Sequence, residues 1–219
     1  MAKVIPETLS FFSQIQENNN KEWFDKNKKA WEAIKANHTI FMGELQNQIL
    51  KFDEIVVKEP KSYVSRINRD FRFTADKSPY QNHIFSLIAR HEDEKKSRFY
   101  LQISPGDTFV AAGLWSPDNE ILKKVRQEID YTSSSLNEII SQGSFKEYFG
   151  NITGESLVRV PQGYEATNPN IELLKLKQYI IKKKFTDEEV LSDAFINELV
   201  KAYTLSMPFL KFLDEAIEG

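Results

Sequence analysis

Residues 84–112 read IFSLIARHEDEKKSRFYLQISPGDTFVAA and contain three short apolar runs. The runs are 84–89, 99–103 and 109–112, and each has the length and the β-branched or aromatic content of a strand. The second and third runs are joined by Ser-Pro-Gly-Asp at 104–107, which is typical of a tight turn. Strands that follow each other this closely pair as antiparallel neighbours, so this stretch predicts a three-stranded meander.

Helical periodicity lies on both sides of this meander. Apolar residues at three- or four-residue intervals predict a short helix over 5–12 and a long helix over 23–49. Similar spacing predicts helices after Ser116-Pro117 and a last helical region after Thr186, which Pro208 should kink or split. Helices at both ends of a central run of strands favour an α+β fold, with a mainly antiparallel sheet flanked by N- and C-terminal helices.

Several shorter elements are also expected. Residues 55–57, 62–73 and 157–160 have the character of strands or extended segments. Ser78-Pro79 has the serine and proline of a helix start, and backbone amides at such a start favour anions. A further helix is expected after Asn168-Pro169, and the lysines at 182–184 form the solvated end of a helix in this interpretation.

Composition limits the class of protein. The 219 residues fit one large domain or two small ones, and we expect a single domain over residues 1–219. The absence of cysteine excludes disulfides, thiolate metal sites and cysteine nucleophiles, and it suits a reducing cytoplasm. No run approaches the ~18 apolar residues of a membrane helix, and the N-terminus lacks a signal segment. We therefore expect a cytoplasmic protein without a membrane partner.

The familiar catalytic and cofactor motifs are missing. The eight glycines are scattered, so neither a phosphate-binding loop nor a dinucleotide-binding motif is present. His38, His83 and His91 lack the spacing of metal ligands, and no metal site is expected. The net charge of −3 argues against a nucleic-acid partner, although it leaves a local basic site open. The sequence identifies no cofactor.

One charged segment stands out against this background. Residues 66–80 read RINRDFRFTADKSPY, with four cations against Asp70 and Asp76. The segment therefore carries a charge of +2 within a chain of net charge −3. In an extended chain alternate residues share a face. One face is entirely polar and consists of Arg66, Asn68, Asp70 and Arg72; the other consists of Ile67, Arg69, Phe71 and Phe73.

Three interpretations of this motif are open. The charges can pair with one another in a network that braces the chain. Unpaired cations can instead face a concavity and bind an anion such as a phosphate group. In the third interpretation Asp70 is desolvated and acts as a catalytic general base.

The second interpretation predicts a pocket for an anionic, phosphate-bearing small molecule. The expected ligand-binding residues are Arg66, Arg69, Arg72, Asp76, Lys77 and Tyr80, with Trp115, Arg126 and Arg159 nearby. Tyr80 and Trp115 are the rings expected to stack on a ligand. The brace interpretation predicts a non-catalytic interaction module for a protein or a nucleic acid.

Several segments together resemble an uncharacterised family, the domain of unknown function 2461. The matching segments are Asn18-Asn19, Trp23-Phe24, residues 66–70, Arg72-Phe73, residues 76–80, residues 113–117, Val125-Arg126 and residues 159–164. The resemblance implies a soluble single-domain protein, and it implies no established activity and no catalytic residues. This chain departs from the family pattern at Gln81, where lysine is usual, and at Ala111-Ala112, where glycines are usual. Asn168 replaces a frequent histidine, which weakens a metal or proton-transfer role there.

Overall fold

The computed structural model describes residues 2–70 and 75–219, except for the side chains of Ser133 and Ser134. Within these residues it contains eight α-helices, one 3-10 helix and four strands. The α-helices are α1 (Pro6–Glu17), α2 (Lys21–Ile49), α3 (Asn119–Tyr131), α4 (Ser133–Ser141), α5 (Gly143–Phe149), α6 (Ile171–Leu174), α7 (Asp187–Leu191) and α8 (Phe195–Glu218). The 3-10 helix is Pro60–Tyr63, and the strands are β1 (Ile84–Ala89), β2 (Arg98–Ile103), β3 (Thr108–Leu114) and β4 (Tyr179–Phe185).

The four strands form one antiparallel meander in the order β1-β2-β3-β4. The side chains of β2 alternate between the two faces of the sheet. Those of Phe99, Leu101 and Ile103 are buried, and those of Tyr100 and Gln102 are half-buried. Helices α1 and α2 precede the sheet in the chain, and α7 and α8 follow it. The predicted α+β class, with a mainly antiparallel sheet flanked by N- and C-terminal helices, is therefore confirmed.

Strand β4 replaces the helix that was expected through residues 182–184. The helix that follows Asn168-Pro169 ends after a single turn, and the chain then enters β4 at the edge of the sheet. Lysines are common on edge strands because their charges oppose pairing with another chain. Lys183 Nζ lies 5.3 Å from the centroid of the Tyr148 ring. The ring stabilises both the charge and the aliphatic part of the lysine side chain.

Other short predictions are wrong for a related reason. No strand forms among residues 55–57 or 157–160, and the described part of 62–73 contains a 3-10 turn and one isolated bridge. No helix begins at Ser78-Pro79, because the backbone at Pro79 accepts a hydrogen bond from the Arg69 amide instead. At Ser78-Pro79 long-range pairing thus outweighs a weak local preference.

Helix α8 continues through Pro208, so the split expected at this residue is wrong, while the alternative of a kink stays a prediction. Proline lacks an N–H and disfavours a helix interior. Here the ring is exposed, while the neighbouring Phe209 and Leu210 are buried. Packing of the apolar face offsets the missing hydrogen bond.

Contacts within the chain divide it into two compact units. The first unit consists of Met1–Ile88, Tyr100–Val110 and Lys184–Lys201, and the second consists of Ala89–Phe99, Ala111–Lys183 and Ala202–Gly219. The expectation of a single domain stays a prediction. Among the described residues, no helix has both the length and the hydropathy that crossing a membrane requires.

Aromatic rings build the core of the first unit. Phe11 lies on Trp31 with ring centroids 5.9 Å apart, and Phe12 meets the same indole edge-on at 6.1 Å. Farther along α2, Phe41 stacks on Phe195 at 6.0 Å. Burying a large apolar side chain completely contributes roughly 1.5–3 kcal/mol, so these rings hold α1 and α2 firmly to their neighbours.

One polar residue, His38, is buried within this core. Its Nε2 lies 2.8 Å from Ser86 Oγ, and the Ser86 hydroxyl itself donates to the Tyr63 carbonyl at 2.8 Å. The serine therefore accepts from His38, which places the imidazole proton on Nε2. Burial lowers the pKa of His38 to about 4, so the ring is neutral.

Acid should destabilise the protein through His38. An unfolded histidine binds a proton near pH 6.5, whereas folded His38 does so only near pH 4. Its contribution to stability is complete above the unfolded pKa and is lost as the pH falls towards the folded pKa. We expect a loss of about 2 kcal/mol in the free energy of unfolding between about pH 7.5 and about pH 5.

Urea denaturation at the two pH values measures this loss. The control is His38→Gln, which keeps a donor for Ser86 but does not titrate. The variant should be less stable at neutral pH and should lose about 2 kcal/mol less on acidification than the wild type. Equal pH dependence in the two proteins would contradict the assignment.

The second unit contains a close backbone approach at Gly113 in β3. This residue has φ +130°, and a Cβ placed on it would lie 1.9 Å from the Tyr179 carbonyl oxygen. Only glycine adopts this backbone conformation readily, and only glycine leaves room for the neighbouring carbonyl. Glycine at 113 is thus required by both conformation and space.

Gly113→Ala should destabilise the protein by at least about 2 kcal/mol, because strain and overlap act together. Gly106→Ala is the matched control, since Gly106 also has positive φ (+67°) but nothing lies within 4 Å of its added Cβ. The control should cost roughly 1 kcal/mol, from the backbone alone. Chemical denaturation compares the two variants, and equal losses would show that the close approach is unimportant.

Candidate functional site

The charged motif begins and ends in a short antiparallel pairing. The Arg69 amide donates to the Pro79 carbonyl at 2.9 Å, and the Gln81 amide donates to the Ile67 carbonyl at 2.7 Å. Between them, Asn68 and Tyr80 form an isolated bridge. The chain between these paired segments is therefore closed into a loop.

The predicted alternation of faces holds for residues 66–70. Ile67 is buried and Arg69 is half-buried, whereas Arg66, Asn68 and Asp70 are exposed. The part of the prediction that concerns Phe71, Arg72 and Phe73 lies outside the described residues and stays a prediction.

Tyr80 is held in place from two sides. The Asn19 side chain donates to the Tyr80 carbonyl at 2.9 Å and accepts from the Tyr80 amide at 3.0 Å. The phenol ring stacks on Phe24 with centroids 4.2 Å apart. With only 6% of the residue exposed, Tyr80 supports the site as part of its wall.

The Asp76 carboxylate lies among three hydrogen-bond donors. Oδ2 accepts from Arg69 Nη1, and Oδ1 accepts from the Ser78 backbone amide at 2.9 Å. The hydroxyl of Ser78 is the third donor. Hydrogen bonds from Ser78 and then from Arg69 hold the pKa of Asp76 far below its usual range, so this carboxylate is ionised at neutral pH.

These groups line an open groove of about 370 Å³ in the first unit. Its lining residues are Gln16, Asn19, Arg69, Asp76, Ser78, Tyr80, Gln81, Asn82 and His83. One guanidinium and one carboxylate are thus surrounded by neutral amides, a hydroxyl and an imidazole. Such a surface offers many donors and acceptors, and more of it is polar than apolar.

His83 contributes a neutral acceptor to this groove. Burial lowers its pKa, the Arg69 cation lowers the pKa further, and Asp107 acts in the opposite direction. Nδ1 lies 3.0 Å from Asn82 Oδ1, a contact that places the proton on Nδ1. Nε2 is consequently available to accept a hydrogen bond.

The structure brings three of the predicted site residues to the groove, Arg69, Asp76 and Tyr80. Arg66, Asp70 and Lys77 belong to the same segment and are exposed, but none of the three is among the described lining residues. The assignment of Asp70 as a catalytic base stays a prediction.

Three other predicted ligand-binding residues, Trp115, Arg126 and Arg159, belong to the second unit. Trp115 follows β3 and is 58% exposed, and Arg159 is exposed in the loop between α5 and α6. Arg126 is half-buried on α3.

Sequence reasoning missed much of the groove lining. Gln16 comes from α1 and Asn19 from the α1–α2 connection, while Asn82 and His83 follow the motif. The run of three asparagines at 18–20 was the available signal, because a helix break rich in side-chain amides is well suited to bonding a neighbouring backbone.

The profile of a family of conserved hypothetical proteins, DUF2461, matches residues 7–212. The chain is a DUF2461 protein. This match confirms the family resemblance of its motifs and extends it over nearly the whole chain. No curated protein and no solved structure matches this DUF2461 protein.

The family description assigns no activity to its members. In the described part of this DUF2461 protein, no three carboxylate or histidine side chains come together as metal ligands would. The groove with its Arg69–Asp76 pair is the candidate site that the structure defines.

The electrostatics of the groove can be tested through His83. Arg69→Gln removes a neighbouring cation and should raise the pKa of His83, whereas Asp107→Asn removes an anion and should lower it. NMR titration of the histidine ring resonances measures both shifts. Shifts of the same sign, or no shift in Arg69→Gln, would show that Arg69 does not act on this ring.

Proposed function

We propose that the groove binds a small anionic ligand that carries a phosphate group. The observation that supports this proposal is the position of the Asp76 carboxylate among Arg69 Nη1, the Ser78 amide and the Ser78 hydroxyl. A guanidinium beside a backbone amide and a hydroxyl is a donor set that suits the oxygens of a phosphate. In this proposal Asp76 occupies the anion position until a ligand replaces it.

Exposure makes such a replacement feasible. The Asp76 side chain is 57% exposed and that of Arg69 is 23% exposed. An ion pair with one well-hydrated partner is weaker than a buried pair, because water solvates the carboxylate once it leaves. Arg69 is less hydrated and needs another anion in its place. A phosphate group would provide that anion and more acceptor oxygens.

The rest of the lining suggests what the phosphate is attached to. Gln16, Gln81 and Asn82 offer amide donors and acceptors, and His83 offers an acceptor nitrogen. The Tyr80 ring is covered by Phe24, so it cannot stack on a planar base. Hydroxyl groups match this lining better than a nucleobase, and we therefore propose a phosphorylated sugar or polyol.

The remaining basic residues of the motif have a supporting role in this proposal. Arg66, Arg72 and Lys77 would raise the positive potential along the segment and attract an anion. Asp70 would act as a general base only if the bound ligand has a proton to remove at that position.

The alternative is that the motif is a brace within a non-catalytic interaction module. The same Asp76 contacts favour it, because a carboxylate that bonds both Arg69 and Ser78 ties together the two sides of the loop. The two functions differ in what removal of the carboxylate does. If the motif is a brace, removing the carboxylate lowers the stability of the protein and adds no affinity for phosphate. If Asp76 instead competes with a ligand, removing it leaves a site that binds phosphate more tightly.

Thermal unfolding with inorganic phosphate and glucose 6-phosphate tests the proposal. Both should raise the Tm of the wild type. A ligand concentration of about 100 times Kd should raise the free energy of unfolding by about 2.7 kcal/mol. Arg69→Gln should abolish the response. Asp76→Ala should bind inorganic phosphate several-fold more tightly than the wild type.

The matched control is Asp193→Ala, since Asp193 is an exposed carboxylate paired with Lys3 and does not line the groove. It should respond as the wild type does. If neither the wild type nor Asp76→Ala responds to either compound, phosphate binding is ruled out and the brace is favoured. A response that Arg69→Gln retains would place the phosphate elsewhere.

A further inference from the structure

The second unit contains a half-buried arginine whose contacts are all neutral. Arg126 lies on α3, and its Nη2 donates to the Leu176 carbonyl at 3.0 Å. Nε is buried and has no hydrogen-bond partner among the described residues. No ion pair in the described part of the chain includes Arg126. A guanidinium in such surroundings is costly, because burial weakens its hydration and no described ion pair compensates the charge.

Helix α3 itself contains a carboxylate at a position where it could pair with Arg126. Asp130 follows Arg126 by four residues on α3, a spacing at which opposite charges commonly pair. No ion pair joins the two in the described structure. Asp130 instead accepts a hydrogen bond from Asn168 Nδ2 at 2.6 Å, and Asn168 in turn caps the Asn170 amide at 2.9 Å. The loop that contains Asn168 thus supplies a hydrogen bond to Asp130.

Two phenols belong to the same cluster. Burial raises the pKa of Tyr164, Asp130 raises that pKa further, and Arg126 lowers it. Tyr164 is therefore within electrostatic reach of both charges. Tyr179 is fully buried, and its hydroxyl donates to the Leu173 carbonyl at 3.1 Å. Burial raises the pKa of Tyr179 as well, so both hydroxyls keep their protons and act as neutral groups.

We propose that Arg126 and the Tyr164 hydroxyl form a binding site for a small carboxylate. A single guanidinium balances a single negative charge, and its planar fork matches the two oxygens of a carboxylate. The half-exposed Tyr164 adds a neutral donor. A phosphate dianion suits the cluster less well, since one cation cannot balance it and Asp130 would repel it.

This site shares no residue with the groove of the first unit, and it does not depend on the phosphate proposal. The two hypotheses also differ in the anion that they favour. Failure of either one leaves the other unaffected, because different variants and different probes are used.

NMR of the arginine side-chain N–H groups provides a local readout. The buried Nε–H of Arg126 should give a protected signal, which Arg126→Lys assigns by removing it. Titration with sodium acetate should shift this signal along a saturating curve. Sodium chloride at equal ionic strength should leave it nearly unchanged, and inorganic phosphate should bind several-fold more weakly than acetate.

Two variants and one control locate the site. Tyr164→Phe should weaken acetate binding several-fold, and Asp130→Asn should reduce the preference for acetate over phosphate. Lys123→Gln removes an exposed cation from the same helix and should bind acetate as the wild type does.

Three results would overturn the proposal. Linear shifts that chloride reproduces would mean that no specific site exists. Unchanged acetate affinity in Tyr164→Phe would remove the hydroxyl from the site. Tighter binding of phosphate than of acetate would refute the choice of a carboxylate ligand.

Discussion

The antiparallel pairing of residues 67–69 with 79–81 is the constraint on which the groove depends. It satisfies backbone groups on both segments and brings together two stretches that the intervening loop would otherwise leave apart. Because the pairing closes the loop, Arg69 and Asp76 meet although they are seven positions apart in the chain. The Asn19 amide continues the pairing on the far side of Tyr80, as a neighbouring strand would. The position of every charged group in the groove follows from these few bonds.

Two half-buried arginines illustrate two ways of balancing a charge. Arg69 faces an exposed carboxylate, which water can solvate once it leaves. Arg126 faces the Leu176 carbonyl and the Tyr179 hydroxyl, which solvate the cation but carry no opposite charge. The first arrangement suits exchange of one anion for another, and the second suits addition of an anion. This difference in charge balance is why the two sites are proposed to take different ligands.

Strong periodic patterns in the sequence were reliable, and weak ones were not. The long apolar stripe of α2 and the three apolar runs of the meander were predicted because each buries a regular face over several turns or residues. Strand β4 was missed because its lysines resemble a solvated helix end, and only its edge position explains them. Ser78-Pro79 has the residues of a helix start, yet long-range hydrogen bonds place it in a loop.

The sequence by itself determined the α+β class, the family and the charged character of residues 66–80. The class and the charge follow from composition and short-range periodicity, and the family follows from the resemblance of short motifs; the chain carries all of these without reference to its fold. Only the tertiary structure decided that Arg69 pairs with Asp76, that Tyr80 is a covered wall, and that amides from α1 and its connection complete the groove. Which groups share a site depends on distances between residues far apart in the chain, and no local pattern encodes those distances.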